Sequence, residues 1–393
     1  MHIGVYAMNY TPNVGGAFTL EQDVLAALRR TAPSRSHQWT LFSRHPMTDL
    51  PANVAGVVLS RPWTAGTIRW LMKITGVQRH TAGAIGMIES GHESAVRAVR
   101  PDVLWNMGPY TLSADVPYWT TIFDLQHRLS PHFPEVSVAG EWERREFHYR
   151  WLLGRATGAF VGTPEGAAQI NRFYPNAGRI SVLPFPTPSD ALDLDVSAVP
   201  STPGGSAPLL LYPAQFWPHK NHITVLKMLA QLQQRHGVAA QLVFVGADKG
   251  NRTHVMDTAR ALGVERLVSV RGFVSRAELL DLYRRAFALV YASTFGPDNL
   301  PPLEAGALGC PVIMADVPGC REQLGEAACI VGAHDVDQWT SAVLQLLTDP
   351  VARERLVSAG QQRARAWTAD QYVARAIEAF EAFEPVRSLW HTA

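Results

Sequence analysis

The run STFGPDNLPPLEAGALGCPVI, residues 293–313, places the carboxylate of Glu304 behind two prolines. Pro301 and Pro302 can open a helix, because its first turn needs no donated N–H bonds. We therefore expect Glu304 in the first helical turn, beside the positive end of the helix dipole. There the carboxylate either matches the dipole or holds a hydroxyl group of a ligand. The small residues that follow would let this helix lie close to a strand that begins at Pro311.

A second candidate, Lys220, lies in the run PAQFWPHKNH, after a predicted strand that begins at Leu209. A loop that leads from a strand end into a helix suits a diphosphate, whose charge the lysine would neutralise. Asn221 is a candidate N-cap of that helix. The alternative is a surface lysine beside a cap. Because Glu304 lies in the same half of the chain, we favour a ligand-binding role for Lys220.

Two glycines, Gly15 and Gly16, follow the first predicted strand. Glycines at this place let the backbone approach a ligand and offer N–H groups to anionic oxygens. A tight turn without a ligand is the alternative, and by itself this pair favours that alternative.

Asp124 and His127 follow a predicted strand at 120–123. We expect both side chains to project from the strand end towards a substrate, where an acid or base could contact a hydroxyl group. The alternative is that they anchor a loop through hydrogen bonds.

A glycine turn follows the predicted strand at 267–270. Its residues are Arg271, Gly272, Phe273 and Val274. The turn could offer backbone groups to a flat base, and Arg271 could neutralise phosphate. A plain turn with a solvated arginine is the alternative.

Residues 61–80 contain four arginines or lysines, two tryptophans and no acid. Basic residues beside tryptophan and aliphatic residues are typical of a helix at a membrane surface. The alternative is an ordinary helix whose apolar stripe faces the core.

Composition limits the class of protein. Hydrophobic residues make up 47% of the chain and charged residues 18%, which is typical of globular proteins. The net charge of +1 argues against a nucleic-acid partner. The cysteines form no Cys-x-x-Cys pair, and the N-terminus lacks the pattern of a signal peptide. We therefore expect no zinc site, no disulfide, no membrane-spanning segment and a cytoplasmic location.

The order of elements predicts the architecture. Short apolar runs alternate with helical patterns in both halves of the chain, which indicates parallel sheets with right-handed crossovers. Residues 184–208 interrupt the alternation with six prolines and a Gly-Gly pair, as a linker does. We predict an N-terminal domain at 1–186, a linker at 187–207 and a C-terminal domain at 208–370. A helix at 371–393 would pack back on the N-terminal domain.

Several signatures of other enzymes are absent from the sequence. It has no Gly-x-Gly-x-x-Gly after the first strand, no Walker pattern, no His-Glu-x-x-His and no Gly-x-Ser-x-Gly. Two Asp-x-Asp pairs occur, at 193–195 and 335–337. The first lies in the predicted linker and the second opens a helix, so we assign no metal site to either.

The run FGPDNLPPLEAGALGCPVIMADVPGCREQLGEAA, together with YPAQFWPHKNH, resembles the retaining, nucleotide-sugar-dependent glycosyltransferases of family 4, of the group 1 type. TIFDLQHRLSPHFPE and the N-terminal Gly-Gly loop resemble the acceptor domain of the same family. The likeness covers nearly the whole chain apart from the linker and 61–80. It implies an α/β fold of the GT-B type, in which two Rossmann-like domains with parallel sheets face each other across a cleft. The N-terminal domain would bind the acceptor and the C-terminal domain the donor.

The resemblance implies roles for residues of the second half. Glu304 matches the second acid of the family's Glu-x7-Glu motif, which holds the ribose hydroxyls of the nucleotide. Lys220 matches the lysine that contacts the diphosphate, and Gln215 stands where many members have an arginine. The turn at 272–274 would lie near the base. Backbone groups would approach the phosphates and the sugar from Asn299, Leu300 and Pro301.

The resemblance also implies roles in the first half. Gly15 and Gly16 would face the diphosphate and the acceptor. His127, near Asp124, falls in the segment where the family has a histidine close to the transferred sugar.

Two departures from the family pattern concern the donor. Gly296 stands where the first Glu of the motif is expected, and Asp298 or backbone amides could take over its contacts to the sugar. Gln215 in place of arginine removes one fixed charge from the surroundings of the leaving group.

The resemblance therefore implies transfer of a hexosyl or deoxyhexosyl unit from a nucleoside diphosphate sugar, with anomeric retention and without metal or cofactor. The acceptor would be a glycan or lipid-linked glycan of a bacterial cell-surface polysaccharide, with membrane contact through 61–80 at the inner face. Two alternatives stay open: a non-catalytic nucleotide-sugar-binding partner in an assembly complex, and a GT-B epimerase. A phosphorylase would need a lysine for pyridoxal phosphate, for which the sequence offers no convincing site.

Overall fold

The backbone of the protein forms two compact units, each with its own parallel sheet. A computed structural model describes residues 1–34, 36–59, 92–194, 207–296 and 298–390. Unit 1 comprises Met1–Pro184 and Ala369–Ala393, and unit 2 comprises Phe185–Thr368. Unit 2 is thus a continuous stretch of chain between the two parts of unit 1.

Unit 1 contains a seven-stranded sheet in the order β3-β2-β1-β4-β5-β6-β7, with every neighbouring pair parallel. The strands are β1 His2–Tyr6, β2 Gln38–Ser43, β3 Val54–Val58, β4 Val103–Asn106, β5 Tyr118–Ile122, β6 Gly158–Val161 and β7 Arg179–Val182. The central strand β1 pairs Ile3 with Trp39 on one side and with Val103 on the other.

Unit 2 contains a six-stranded sheet in the order β10-β9-β8-β11-β12-β13, again with every neighbouring pair parallel. The strands are β8 Leu209–Pro213, β9 Gln241–Val245, β10 Val268–Val270, β11 Ala288–Tyr291, β12 Val312–Ala315 and β13 Cys329–Val331. In both sheets the first strand lies centrally and the order reverses beside it, as in Rossmann-like folds. The predicted α/β class with two Rossmann-like parallel sheets is confirmed.

Helices cover the sheets, so that central strands such as β11 are buried along their whole length. The helices of unit 1 are Gly16–Thr31, His92–Val99, Gln126–Leu129, Pro134–Ser137, Glu141–Leu153, Pro164–Phe173, Ala369–Glu381 and Glu384–Arg387. Those of unit 2 are Ser189–Leu192, His222–His236, Arg252–Ala261, Arg276–Arg285, Leu300–Ala307, Cys320–Leu324, Val336–Thr348 and Pro350–Arg365. Among the described residues, no helix is long and apolar enough to cross a membrane.

Local chemistry sets several helix starts. The Thr163 side chain accepts a hydrogen bond from the Gly166 N–H at 3.1 Å and caps Pro164–Phe173. The Ser275 side chain accepts one from the Glu278 N–H at 3.2 Å and caps Arg276–Arg285. These polar caps satisfy N–H groups that the first turn leaves without a partner.

Two features of the fold differ from the sequence predictions. Strand β7 was missed, because Arg179-Ile-Ser-Val is a short, partly exposed edge strand without an apolar run. The predicted linker does not start as an irregular segment: Ser189–Leu192 form a helical turn, and Ala191 is buried in the core of unit 2. Of the predicted linker, residues 195–206 lie outside the described residues.

The small residues after Glu304 serve a further contact besides the predicted one with the strand that follows, β12. A Cβ atom on Gly306 would lie 3.0 Å from the carbonyl oxygen of Gly360. Gly306 therefore allows helix Leu300–Ala307 to pack closely on helix Pro350–Arg365, rather than only on the strand that follows it. This contact fixes the helix that carries Glu304.

The C-terminal helix Ala369–Glu381 completes the core of unit 1. The ring of Phe380 lies 5.7 Å from Trp105, 5.4 Å from Trp119 and 6.0 Å from Phe160, measured between ring centroids. All four side chains are almost fully buried. The aromatic core of this unit is therefore built from residues more than 200 positions apart in the chain.

Candidate functional site

The candidate residues of unit 2 cluster at the carboxyl ends of β8 and β11, where the strand order reverses. Open parallel sheets bind ligands at this edge, beside the reversal point, because the loops there diverge to opposite faces. Lys220 lies after β8. Tyr291 is the last residue of β11, and Ser293 lies just after that strand.

Lys220 lies in a 3-10 turn, Pro218–Lys220, and its ammonium group reaches the end of the neighbouring strand. Nζ donates hydrogen bonds to the hydroxyl oxygens of Tyr291 at 3.1 Å and Ser293 at 3.2 Å. Among the described residues, no carboxylate forms an ion pair with this half-buried ammonium group. A cation held by two neutral hydroxyls keeps its charge available for an anion.

The two loops that flank the reversal point are bonded to each other. Thr294 donates two hydrogen bonds, from its N–H and its hydroxyl, to the carbonyl of His219 at 2.9 and 3.0 Å. The imidazole ring of His219 stacks on Phe295 at 3.8 Å. These contacts fix the direction of Lys220, which follows His219 in the chain.

The loop before helix Leu300–Ala307 is held by one glutamine. Gln323 accepts from the Asn299 N–H at 3.2 Å and donates to the Asn299 carbonyl at 2.8 Å. The Asn299 side chain accepts from Tyr291 Oη at 3.0 Å, so this loop joins the Lys220 network. Both backbone groups of Asn299 are therefore engaged within the protein, contrary to the prediction that they face a ligand.

The N-terminal turn of this helix has few donors. Pro301 and Pro302 carry no N–H, so in the first turn they can offer nothing to an anionic oxygen. Leu300, the first residue of the helix, supplies the N–H group at this end. We predicted backbone contacts at Asn299, Leu300 and Pro301. Among these three residues, Leu300 is the one whose N–H group is left for a ligand.

Asp298 is bonded within unit 2 rather than open towards a sugar. Its carboxylate accepts a hydrogen bond from the Phe185 N–H at 2.6 Å and another from the side-chain amide of Gln323. Burial raises the pKa of Asp298 to about 8, although these N–H groups and the charge of Arg363 act in the opposite direction. The carboxyl group that we expected to replace the missing first Glu of the motif instead joins its loop to the first residue of unit 2.

Glu304 lies in the second turn of its helix, not in the first as predicted. The helix begins one residue before the prolines, which moves Glu304 to its fifth position. Only 3% of the residue is exposed. Oε1 accepts from Arg276 Nη1 at 2.5 Å and Oε2 accepts from Tyr283 Oη at 2.8 Å. The charge of Glu304 is therefore balanced by Arg276 and not by the helix dipole alone.

Arg276 and its partner Asp190 were not singled out from the sequence. Nε and Nη2 of Arg276 donate to the two carboxylate oxygens of Asp190 at 2.6 and 2.7 Å. The available signal was the capping pattern Ser275-x-x-Glu278, which predicts that Arg276 opens a helix. Sequence alone could not show that Asp190, 86 residues earlier, pairs with it.

The turn after β10 exposes an aromatic ring. Gly272 adopts φ +66°, and its carbonyl accepts from the Gly246 N–H at 2.7 Å. The next residue, Phe273, is 62% exposed, and Arg271 before the turn is also exposed. An exposed phenyl ring at the carboxyl edge of the sheet offers a surface on which a planar base can stack.

Gln215 follows β8 and holds a neighbouring aromatic residue. Its side-chain oxygen accepts from Trp217 Nε1 at 2.9 Å. The ammonium of Lys249 lies over the Trp217 ring, 5.5 Å from its centroid. A cation that was not predicted from the sequence therefore stands near Gln215.

In unit 1, Gly15 and Gly16 start helix Gly16–Thr31 after β1. Gly15 has φ +83°, a conformation that favours glycine, and Gly16 is the first residue of the helix. The preceding loop is held by Glu21, a residue that the sequence analysis missed. Its carboxylate accepts from the N–H groups of Asn9 and Tyr10, both at 3.1 Å, and burial raises the pKa of Glu21 to about 7.

His127 does not project towards a substrate as we predicted. Its ring is fully buried, and Nε2 lies 3.3 Å from both Glu146 Oε2 and Tyr174 Oη. Burial lowers the pKa of His127. Asp124 accepts from the Gln126 N–H at 2.9 Å and from Arg145 at 3.2 Å. The pair thus fits the alternative interpretation, in which both residues anchor a loop.

Within unit 2 the structure brings together Lys220, Asn299 and Leu300, and it adds Tyr291 and Ser293 to this group. Segment 61–80 lies outside the described residues, as do Asp195 and Pro297. Among the described residues, no group of three or more His, Cys, Asp and Glu side chains is arranged to hold a metal ion.

Comparisons with known proteins agree with this geometry. Residues 200–363 match the model of a family described as Glycosyl transferases group 1. The O-antigen chain mannosyltransferase RfbU of Salmonella typhimurium is 31% identical over 139 residues, which are 35% of this chain and 38% of that protein. The D-inositol 3-phosphate glycosyltransferase 2 of Catenulispora acidiphila is 29% identical over 94% of this chain and 92% of its own. The chain matches less than half the length of several curated relatives, RfbU among them.

One solved structure that resembles this chain is Anabaena Alr3699/HepE in complex with UDP and glucose. The TM-score is 0.64 at 16% sequence identity, and the match covers 96% of this chain and 100% of that one. The likeness extends over both units and shows that the chain has the GT-B fold.

Proposed function

We propose that the protein is a retaining glycosyltransferase, because residues 200–363 match the model of the glycosyl transferases group 1 family. It moves a hexosyl or deoxyhexosyl unit from a nucleoside diphosphate sugar to an acceptor hydroxyl. Unit 2 binds the donor in this proposal, and unit 1 binds the acceptor.

The observation that carries the proposal is the ammonium group of Lys220. It lies at the carboxyl end of the sheet, beside the strand reversal, and is held by the hydroxyls of Tyr291 and Ser293. No carboxylate among the described residues neutralises it. An oriented cation of this kind stabilises a diphosphate, and most strongly when the diphosphate leaves and gains charge.

Two further features of unit 2 fit a nucleotide. The exposed ring of Phe273, after the positive-φ turn at Gly272, offers a stacking surface for the base. The carboxylate of Glu304 can accept hydrogen bonds from ribose hydroxyls, since a carboxylate has about four acceptor positions and two are occupied.

The proposed reaction takes place on one face of the sugar. The bond between the anomeric carbon and the diphosphate oxygen breaks, and its electron pair stays on the oxygen. The acceptor oxygen bonds to the anomeric carbon from the same face, and its proton passes to the leaving diphosphate. Lys220 and the N–H of Leu300 stabilise the charge that develops there, and we assign this task to no metal ion. We assign no nucleophile, because His127 is buried and bonded within unit 1.

For the acceptor we propose a glycan or lipid-linked glycan, as in cell-surface polysaccharide synthesis. The relative RfbU, an O-antigen chain mannosyltransferase, supports this choice of class. Membrane contact through 61–80 stays a prediction, since that segment lies outside the described residues.

A ligand panel tests the proposal. Uridine, guanosine, adenosine and cytidine diphosphates are added to the protein, and its melting temperature is measured with each. We expect one of them to stabilise the fold, by about 2.7 kcal/mol at a concentration of 100 Kd. The proposal fails if none of the four raises the melting temperature.

Two lysine variants locate the diphosphate. Lys220→Ala should weaken binding of the selected diphosphate by about ten- to a hundredfold, because a charge-assisted bond is lost. Lys227→Ala removes an exposed lysine from helix His222–His236 and should bind like the wild type. Equal affinities of all three proteins would remove Lys220 from the site.

A binding partner without transferase activity is the second candidate. It is favoured by Asp298, which is bonded to Phe185 and Gln323 instead of replacing the missing first Glu. Incubation with sugar conjugates of the selected diphosphate separates the two candidates. Release of the diphosphate, dependent on Lys220, supports the enzyme, whereas binding without release from any conjugate supports the partner.

A further inference from the structure

We propose that Arg276 is a positioning residue that holds Glu304 in place to bind two neighbouring hydroxyls of a ribose ring. The inference rests on the nucleotide site proposed above. It adds to that site a side chain of helix Arg276–Arg285 and its partner Asp190.

The carboxylate of Glu304 has hydrogen-bond acceptor positions left. Each of its two oxygens accepts one hydrogen bond, Oε1 from Arg276 at 2.5 Å and Oε2 from Tyr283 at 2.8 Å. No other described residue bonds to this carboxylate. One acceptor position therefore stays open on each oxygen of the same carboxylate. A cis-diol presents two hydroxyl donors on neighbouring carbons, and a ribose ring carries one at its 2′ and 3′ carbons.

Arg276 and Tyr283 fix the direction of the Glu304 carboxylate. Arg276 donates to Asp190 through Nε and Nη2, at 2.6 and 2.7 Å, and to Glu304 through Nη1. A bidentate pair fixes the plane of the guanidinium group, and so fixes the direction of the third bond. Tyr283, fully buried, holds the other oxygen. The carboxylate is thus bound from two sides before any ligand arrives, which lowers the cost of ordering it on binding.

The charge of Glu304 has a fixed partner. Glu304 is buried, and a buried carboxylate needs a paired cation to offset the loss of its hydration. Although burial acts against the cation, the bonds to Asp190 and Glu304 raise the pKa of Arg276. Arg276 therefore keeps its charge, and a carboxylate accepts hydroxyl hydrogens more strongly than a neutral acceptor does.

Arg276 lies close in the chain to the turn 271–274, which we assign to the base. It comes two residues after Val274 and opens the helix capped by Ser275. Asp190 belongs to helix Ser189–Leu192, near the start of unit 2. The guanidinium therefore joins three separate segments of unit 2 at the nucleoside end of the proposed donor site.

The test compares a ribonucleotide with its 2′-deoxy form. The probe is the diphosphate selected by the panel above, and affinities are measured by calorimetry. We expect the wild type to bind the ribonucleotide about tenfold tighter or more, because the deoxy form leaves an acceptor of Glu304 without its hydroxyl. In Arg276→Gln this preference should fall to about twofold or less, with affinity for the deoxy form nearly unchanged.

Three further variants complete the test. Arg276→Lys should keep part of the preference, since it keeps the charge but cannot bond to both acids in the same geometry. Asp190→Asn should lower the preference while leaving the Arg276–Glu304 bond in place, and it serves also if Arg276→Gln does not fold. Arg285→Gln, which removes an exposed pair with Asp281 from the same helix, should behave like the wild type.

The outcomes separate this inference from the proposed function. If the wild type binds no nucleoside diphosphate, the proposed function fails and the inference with it. If the wild type prefers the ribonucleotide and Glu304→Gln abolishes the preference, the site stands. In that case an undiminished preference in both Arg276→Gln and Asp190→Asn overturns the role of Arg276 alone. Equal weakening of both nucleotides by Arg276→Gln also overturns it, since that result indicates a general structural role.

Discussion

Each unit contains a buried glutamate that is held by arginine and tyrosine, but the two carboxylates differ in how many donors surround them. Glu304 in unit 2 accepts two hydrogen bonds, one on each oxygen. Glu146 in unit 1 is contacted by four donor side chains, which are His127, Arg128, Arg150 and Tyr174. Since Arg128 contacts both oxygens, the carboxylate of Glu146 has no acceptor position left.

The difference separates a structural carboxylate from one that can bind a ligand. A saturated carboxylate ties elements together, here the helices Gln126–Leu129 and Glu141–Leu153 and the residue Tyr174. A carboxylate that is equally buried but has fewer protein donors keeps acceptor positions that a ligand can use. Type and burial are the same for the two residues, so the number of protein donors is what distinguishes their roles.

The largest effect is expected for the saturated carboxylate. Glu146→Gln leaves two arginines without their charge partner and should lower the free energy of unfolding by about 2–3 kcal/mol. This loss is smaller than the loss expected when a fully buried ion pair is broken, because Arg150 is 69% exposed and stays hydrated. The urea midpoint measures the change. Glu378→Gln, in an exposed pair with Arg375, should cost less than about 0.5 kcal/mol.

The same residue gives stability an acid dependence. Burial acts to raise the pKa of Glu146, but the bonds from Arg128, Arg150 and Tyr174 outweigh it and lower the pKa to about 2. A lowered pKa means that the ionised carboxylate stabilises the fold. This stabilisation is complete above the usual glutamate range, and it is lost as the pH falls from about 4.5 to about 2. Over that window the wild type should therefore lose more stability than Glu146→Gln. Parallel curves would mean that the charge of Glu146 contributes nothing.

The second effect reverses the comparison. Glu304→Gln should weaken nucleoside diphosphate binding by about tenfold, because one of the two open acceptors becomes a donor. Glu304→Gln should lower the free energy of unfolding less than Glu146→Gln does, since Arg276 keeps its pair with Asp190. Calorimetry and urea unfolding on both variants check the contrast. If Glu146→Gln weakened nucleotide binding and Glu304→Gln did not, the number of protein donors around a buried carboxylate would not distinguish its role.

A third effect extends the comparison to a carboxyl group without a paired cation. Burial raises the pKa of Asp298 to about 8, so the folded state holds a proton that the unfolded chain releases near pH 4. Stability from this proton is complete at low pH and is lost as the pH rises through about 8. Between pH 6 and 8 the wild type should lose up to ~1.4 kcal/mol per pH unit relative to Asp298→Asn. A constant difference between the two proteins would show that Asp298 is already ionised.

The smallest effect is expected for Glu21 in unit 1, which bonds backbone N–H groups instead of cations. Burial raises the pKa of Glu21 to about 7, with the N–H groups of Tyr10, Met8 and Asn9 opposing it. Stability from its proton is therefore lost between about pH 4.5 and 7. Thermal unfolding of Glu21→Gln should lack this slope, worth about 0.5–1 kcal/mol per pH unit. An identical slope in the wild type and the variant would contradict the raised pKa.

The fold could be predicted from the sequence largely because its elements have strong local signals. Helical apolar patterns at 141–153 and 164–173 and the short apolar run Ala288-Leu-Val-Tyr predict three of these elements, and the structure has Glu141–Leu153, Pro164–Phe173 and β11 there. Strand β7 and the turn Ser189–Leu192 carry no such signal. They form because tertiary contacts compensate for weak local preference.

The site was predictable as a set of residues but not as a set of contacts. Lys220 was identified from its place between a strand and a helix, and it lies at the predicted edge of the sheet. Its hydroxyl partners, 71 and 73 residues away, have no sequence pattern that links them to it. The same limit applies to Asp298 and His127. Whether a polar side chain faces a ligand or the protein depends on the segments that pack against it.

Unit 2 interrupts unit 1, and this order of segments has a consequence for how the protein is made. A ribosome synthesises all of unit 2 before it reaches Phe380, the residue that closes the aromatic core of unit 1. At about 5–20 residues per second, the strands that carry Trp119 and Phe160 wait on the order of tens of seconds for that ring. Most of unit 2 leaves the ribosome during this interval, while the core of unit 1 lacks its closing ring. A chain that stops before Phe380 therefore keeps the strands of both sheets but exposes aromatic side chains of unit 1 that Phe380 would cover.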